Sequence, residues 1–292
     1  MLKLRRVQKV DNVDAVISNF LGRPFKWVVI IITTIMVVLP LYWLFTSSVK
    51  LEHEYLASPP VLVPSQLTLA NFEKIIAQDG VVVGFYNSMV IASMTTLVCV
   101  FFGSLDAYAI SRGNIPGRAR NIFTFWFLIQ KMYPAVSVAI PVFLVMRNLG
   151  LLDTKISLII MNTSFNIPLV IWLMLGFFND IPKELEESGM IDGCNMWQRY
   201  SLLVLPITKP GLIAASILTF VAAWNEFLFA VILSIRKAIP LPVIIAGFKT
   251  DRGLEWGPMA AMGVIIIVPV VLIVWALQKD FVKGLTMGAV KE

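Results

Sequence analysis

Six apolar runs, each long enough to cross a bilayer as a helix, constrain what this chain can become. The hydrocarbon layer is ~30 Å thick, so a spanning helix needs ~20 mostly apolar residues. The runs are approximately Trp27–Phe45, Phe85–Leu105, Ile122–Val145, Ile156–Phe178, Leu212–Ser234 and Met259–Leu277. Lipid offers no partner to bare backbone groups, and a barrel would show short alternating strands instead. The expected fold is an all-α polytopic membrane protein with six transmembrane helices over residues 27–278. A segment over 1–26 precedes them, a tail over 279–292 follows, and a polar loop over 180–210 interrupts them.

Composition agrees. The chain is 58% hydrophobic and 14% charged, where a soluble domain is nearer ~45–50% and ~25%. The length of 292 residues would otherwise suggest two soluble domains. The second run is the weakest, diluted by Asn87, Ser88, Ser93, Thr95 and Thr96. The first run is too long for a signal-peptide core and no small-residue cleavage site follows it, so it reads as an uncleaved helix. Before it, Val13, Val16, Ile17 and Phe20 share one helical face over residues 10–21. That segment is either an interfacial helix or a frayed leader.

Lys and Arg give the orientation. Six spans put both termini on one side, and 15 of the 24 basic residues lie in segments of that side. Eight lie on the other side, and Lys131 lies within the third run. The positive-inside bias therefore predicts cytoplasmic N and C termini. It also explains the net charge of +6 without nucleic acid, because the basic residues are scattered among apolar runs. Cys99 and Cys194 fall at different expected depths, so no disulfide is predicted. His53 reads as a solvated loop residue. No Cys/His/carboxylate cluster, glycine-rich phosphate loop or nucleophile elbow is present, so no catalytic or metal site is expected.

The polar patch over residues 181–212 is the most informative stretch. Pro182 suits a helix start, and Glu184, Glu186 and Glu187 favour the positive end of its dipole. Leu185 and Gly189 recur at helical spacing with Ser188 or Met190, which predicts an apolar or small-residue face and an acidic face. Asp192-Gly193 reads as a turn. A second short helix is expected from Met196 to Leu203, with Pro206 and Pro210 separating it from the next span.

This patch resembles the cytoplasmic coupling loop, or EAA loop, of the permease subunits of ABC importers. The family pattern, Glu-Ala-Ala, two residues, Asp-Gly and later Leu-Pro, stands here as Glu187-Ser188-Gly189, Asp192-Gly193 and Leu205-Pro206. Both alanines are replaced by other small residues. Further segments resemble the carbohydrate-uptake branch, in the subunit similar to the smaller maltose permease. They include Ala107–Arg112 with Pro116-Gly117-Arg118, Leu149–Thr154, Trp224–Phe227 and Trp256–Ala260. The tail, with Gly284, Leu285, Thr286 and Gly288, is close to a family ending that reaches the ATPase.

The resemblance implies a type I ABC importer permease fold in a prokaryotic cytoplasmic membrane. It implies a heterodimer with a second, related permease, two ATP-binding subunits inside and an extracytoplasmic solute-binding protein. ATP and Mg would be bound by the partner ATPase, with no cofactor on this chain and no nucleic-acid partner. Under this reading the chain is no enzyme, but the membrane subunit of an importer for sugars or oligosaccharides. The loop Arg236–Pro258 would meet the binding protein. A permease for another solute, such as a polyamine or phosphodiester, is the alternative within transport. A non-transporting membrane scaffold is the alternative outside it.

Inside the spans, Lys131 departs from the family, where relatives usually carry an apolar residue. A charge near the bilayer centre costs at least ~2.5–3.5 kcal/mol unless hydrated or paired. Lys131 lines the substrate path, pairs with Glu226 or Asp106, or reaches to the membrane interface. Asn162, Asn166, Asn225 and Glu226 are the other candidate path residues. Each has a structural reading beside it, and Asn162, Ser164 and Asn166 could equally bond a neighbouring helix.

Overall fold

The computed structural model of the chain describes residues 23–287 except Leu56, Tyr133, Asp251 and Arg252. The amphipathic pattern over 10–21 and Gly288 of the tail lie outside the described residues. The described chain divides into two compact units, residues 23–72 with 256–264 and residues 73–255 with 265–287.

In the first unit, α1 (Arg23–Ser48) is apolar from Trp27 to Phe45 apart from Thr33 and Thr34, with Pro40 inside it. Its side chains are exposed over most of its length, as suits a helix whose solvent is lipid. The loop after it is folded by polar side chains. Glu54 is buried and accepts the amides of Leu51 and Ser65. Asn71 donates to the Ser48 and Lys50 carbonyls and to the Tyr55 hydroxyl at 2.7–3.1 Å. His53 is exposed, as expected.

Helix α2 (Ala70–Ala77) begins in the first unit and ends in the second, where it leads into α3 (Val81–Arg112). Its 32 residues make a helix about 48 Å long at 1.5 Å per residue. Both ends therefore outreach the hydrocarbon. Helix α3 packs on α6 (Lys155–Asp180) and on α9 (Lys209–Trp224). The contact is lined on α3 by the small buried residues Ala92, Cys99, Gly103 and Ala107, which allow close backbone approach. Cys99 and Cys194 are both free thiols. Trp224 at the end of α9 donates its indole N–H to the Ile266 carbonyl of α12 (Trp256–Met287) at 3.1 Å.

Among the described residues, four helices are long and apolar enough to span, and two sharply bent pairs raise the number to six if each is one span. Two of the expected spans are not the single helices that their hydropathy suggests. The third run divides into α4 (Gly117–Met132) and α5 (Ala139–Asn148), which meet at 91°. Pro134 lies between them, where its ring and missing N–H stop a helix from continuing. The fifth run stops at Trp224, ten residues before Ser234. The Glu226 carboxylate then takes the amides of Phe229 and Ala230 at 2.7 and 3.0 Å and starts α10 (Leu228–Leu233). Between α6 and α9 lie α7 (Lys183–Ile191) and α8 (Met196–Ile207). After α10 come α11 (Leu241–Ala246) and a hairpin of β1 (Lys249–Thr250) with β2 (Gly253–Leu254). Helix α12 runs ten residues past Leu277, so Gly284, Leu285 and Thr286 continue the last helix.

Candidate functional site

The polar patch folds as the pattern predicts over α7. Its C-terminus closes as a Schellman motif: the Cys194 amide donates to the Gly189 carbonyl at 2.9 Å and the Gly193 amide to Met190 at 3.1 Å. Gly193 sits at φ +83°, a conformation that costs any residue with a Cβ. Asn195 caps α8 reciprocally with Gln198, both bonds 2.9 Å.

Helix α8 departs from expectation. It does not end at Leu203 but continues through a π-helical stretch, Arg199–Val204, into a last turn holding Leu205 and Pro206. Such wide turns recur at functional sites. The break comes at Thr208, after which α9 leaves at 80°. Leu205 packs on the apolar core while Pro206 is exposed.

The faces of α7 depart from the simple amphipathic reading at particular residues. Glu186 is buried, whereas Leu185, Met190 and Ile191 are exposed, Ile191 to 87%. Glu187, Ser188 and Asp192 share the exposed side. Gly189 is buried because α8 approaches it closely, and a Cβ there would stand 2.6 Å from Leu203 Cδ1.

Sequence reasoning placed Glu186 among the acidic residues at the helix start and missed its buried pairing. The Arg112 Nε donates to its Oε1 at 2.6 Å, and the Tyr108 hydroxyl donates to its Oε2 at 2.6 Å. Arg112 also donates through Nη2 to the carbonyls of Phe178 and Ile181, at 2.7 and 2.6 Å. One guanidinium thus joins the end of α3, the end of α6 and the start of α7. Around it, Tyr108 packs edge-on to Phe178 and lies 5.0 Å from the Tyr200 ring. The Tyr200 hydroxyl is 2.7 Å from Ser104 Oγ, which brings α8 into the same cluster. Both partners of the ion pair are more than nine-tenths buried. In such a place, removing one partner costs ~3–5 kcal/mol because the other charge is stranded. The signal was Arg112 itself, a cation closing a long apolar run and needing a partner.

The candidate path residues do not converge. Lys131 donates to the Phe165 carbonyl at 3.0 Å. Pairing with Glu226 or Asp106 is not found among the described residues, since Glu226 is held by backbone amides and Asp106 is exposed. Asn162 and Asn166 are buried and donate to Leu158 and Asn162 one turn back in their own helix, not to a neighbouring one. Asn225 does the same to Val221. Beside Lys131, between α4, α5 and α6, lies a cavity of about 350 Å³ that includes Trp126, Gln130, Ser164 and Phe165 in its wall.

The model of the binding-protein-dependent transport system inner membrane component family matches residues 100–284. The chain belongs to this family. The permease is 36% identical over 87% of its length to the trehalose transport system permease protein SugB of Mycobacterium tuberculosis, covering 92% of that protein. It is 34% identical over 89% of its length to the trehalose/maltose transport system permease protein MalG of Thermococcus litoralis, covering 94% of it. Its fold matches a chain of a bacterial ABC transporter involved in the import of the acidic polysaccharide alginate. There the TM-score is 0.74 and the identity 24%, over 88% of this permease and 95% of that chain. The resemblance read from the coupling segment therefore holds. This is a membrane-embedded permease subunit of a binding-protein-dependent importer, placed in a prokaryotic cytoplasmic membrane.

Proposed function

We propose that this permease moves a sugar or oligosaccharide, and that α7 is the part through which a separate ATPase drives it. The carrying observation is the split character of α7. Its inner face is tied by Glu186 to Arg112 and Tyr108, while Leu185, Met190 and Ile191 face outward beside Glu187 and Ser188. An apolar helix face with small neighbours suits a groove on another protein. The positive-inside bias puts that face in the cytoplasm, with both termini, where ATP is available. Two ATP-binding subunits would carry ATP and Mg. A second permease would complete the path, and an extracytoplasmic binding protein would deliver the solute.

The mechanism follows from rigidity. A pull on α7 is borne by a buried ion pair instead of a flexible loop, so α3 and α6 move with it. ATP shifts the inward and outward states only by its differential affinity for them. The tail residues Gly284, Leu285 and Thr286 continue the last helix, and together with Gly288 they are proposed as a second ATPase contact. The sugar assignment is supported by the trehalose and maltose permeases among the relatives. The test is uptake of labelled trehalose, maltose and a uronate oligosaccharide by reconstituted complex with ATP on the ATPase side. ATP-dependent uptake of at least one supports the reading. Uptake of a polyamine with none of the sugars would overturn the substrate class.

A further inference from the structure

At the other end of α3, a loop is shaped by side chains far away in sequence. The Asp153 carboxylate accepts four consecutive backbone amides: Ile235, Arg236, Lys237 and Ala238, at 2.9–3.1 Å. The Asp153 amide donates back to the Leu233 carbonyl at 2.8 Å. Asn87 on α3 donates to the carbonyls of Lys237 and Ile239, at 2.9 and 3.0 Å, and accepts from Lys155 Nζ. Ser88 accepts the Leu241 amide at 2.9 Å. Lys155 is itself held over the Tyr86 ring. Asp153 takes φ +58° to aim its carboxylate, a backbone state that Asp tolerates better than most residues.

This network uses up the charge of Asp153 on amides and leaves the loop's own charges unmatched. Ile235, Arg236 and Lys237 are exposed, and no ion pair to either cation occurs among the described residues. From Ser234 to Phe248 the loop contains no Asp or Glu. The result is a fixed cationic edge, Arg236 and Lys237, with one exposed apolar side chain, Ile235, beside it.

We propose that Asp153 is a positioning residue for uptake, holding Ile235, Arg236 and Lys237 as a preformed edge that docks a carboxylate-bearing surface of the solute-binding protein. This rests on the permease reading above, with this end of α3 outside the cell. The occupant is a protein with surface carboxylates because the edge offers two unmatched cations beside an apolar contact. Pre-ordering matters because binding then pays no loop-ordering entropy.

The experiment uses the full complex in proteoliposomes, stimulated by the binding protein that co-purifies with it. Asp153→Ala should abolish hydrogen-exchange protection of the 235–238 amides. It should raise the half-saturating binding-protein concentration about tenfold, with the maximal stimulated rate recovered at saturation. Asp153→Asn, which keeps an acceptor oxygen, should fall between. Arg236→Glu with Lys237→Glu should weaken docking at least as much without loss of amide protection, and should reverse its salt dependence, because added salt then screens a repulsion. Wild-type half-saturation in both Asp153→Ala and the charge-reversed variant would overturn the proposal. So would an effect that tracks the anionic lipid content of the vesicles instead of the binding-protein concentration. A wild-type complex that the loaded binding protein never stimulates would overturn the proposed coupled uptake on which this rests.

Discussion

Arg112 and Glu186 meet at 2.6 Å in a buried ion pair that joins the last turn of α3 to the first turn of α7. The same guanidinium satisfies two carbonyls at the end of α6, so three helices share one side chain. The pair is a joint, and its energetics give the first prediction. Arg112→Met or Glu186→Met alone should destabilise the complex by ~3–5 kcal/mol, while the double substitution should cost clearly less. Thermal unfolding of the purified complex in a double-mutant cycle measures this. Additive losses would mean that the two side chains do not act together.

The turn after α7 gives a second prediction. Gly193→Val forces a branched side chain into φ +83° and should cost ~1–2 kcal/mol through local strain. Insertion should be unaffected, because no span is touched. Stimulated ATPase activity should fall, because the Schellman closure sets where Asp192 and Ile191 point. Unchanged stimulation with normal yield would show that the turn's shape is irrelevant to coupling.

Lys131 gives a third. Its ammonium rests on the Phe165 carbonyl and has no carboxylate partner among the described residues. Removing it strands no buried acid, so Lys131→Met should leave the unfolding temperature equal or raised. Uptake of a uronate oligosaccharide should fall more than uptake of a neutral one if this cation lines the path. A marked loss of stability would show that it is a structural charge.

Asp153 gives a pH prediction. Burial pushes its carboxyl up, but hydrogen bonds from the amides of Arg236, Ile235, Lys237 and Ala238 outweigh this and hold it at about 2. A group so depressed contributes its full stabilisation above its ordinary value and loses it as pH falls through about 2. Protection of the 235–238 amides should therefore be the same at pH 7 and pH 5. Loss of protection near pH 5 would contradict the binding geometry.

Much of this was legible in the sequence, for identifiable reasons. Hydropathy located the runs because lipid demands apolar length, and turn chemistry located the Asp192-Gly193 bend. What hydropathy cannot see is a break inside an apolar run. Pro134 splits the third run and Glu226 restarts the chain after α9, and both depend on single residues within high averages. The face of α7 was misjudged for a related reason. Three glutamates in one turn read as a solvated stripe, yet one of them answers Arg112, 74 residues earlier. Partners so distant in sequence leave no local pattern. The Asp153 loop lock, reaching 82–85 residues along the chain, was hidden for the same reason.

In the proposed mechanism the exposed face of α7 receives the ATPase. The direct measurement is binding-protein-stimulated ATP hydrolysis by a reconstituted complex carrying Ile191→Glu with Met190→Glu. Neither side chain supports the core, so the permease should insert and fold as in the wild type. The account predicts loss of most stimulation and weakened retention of the ATP-binding subunits. Wild-type stimulation with full retention would contradict it.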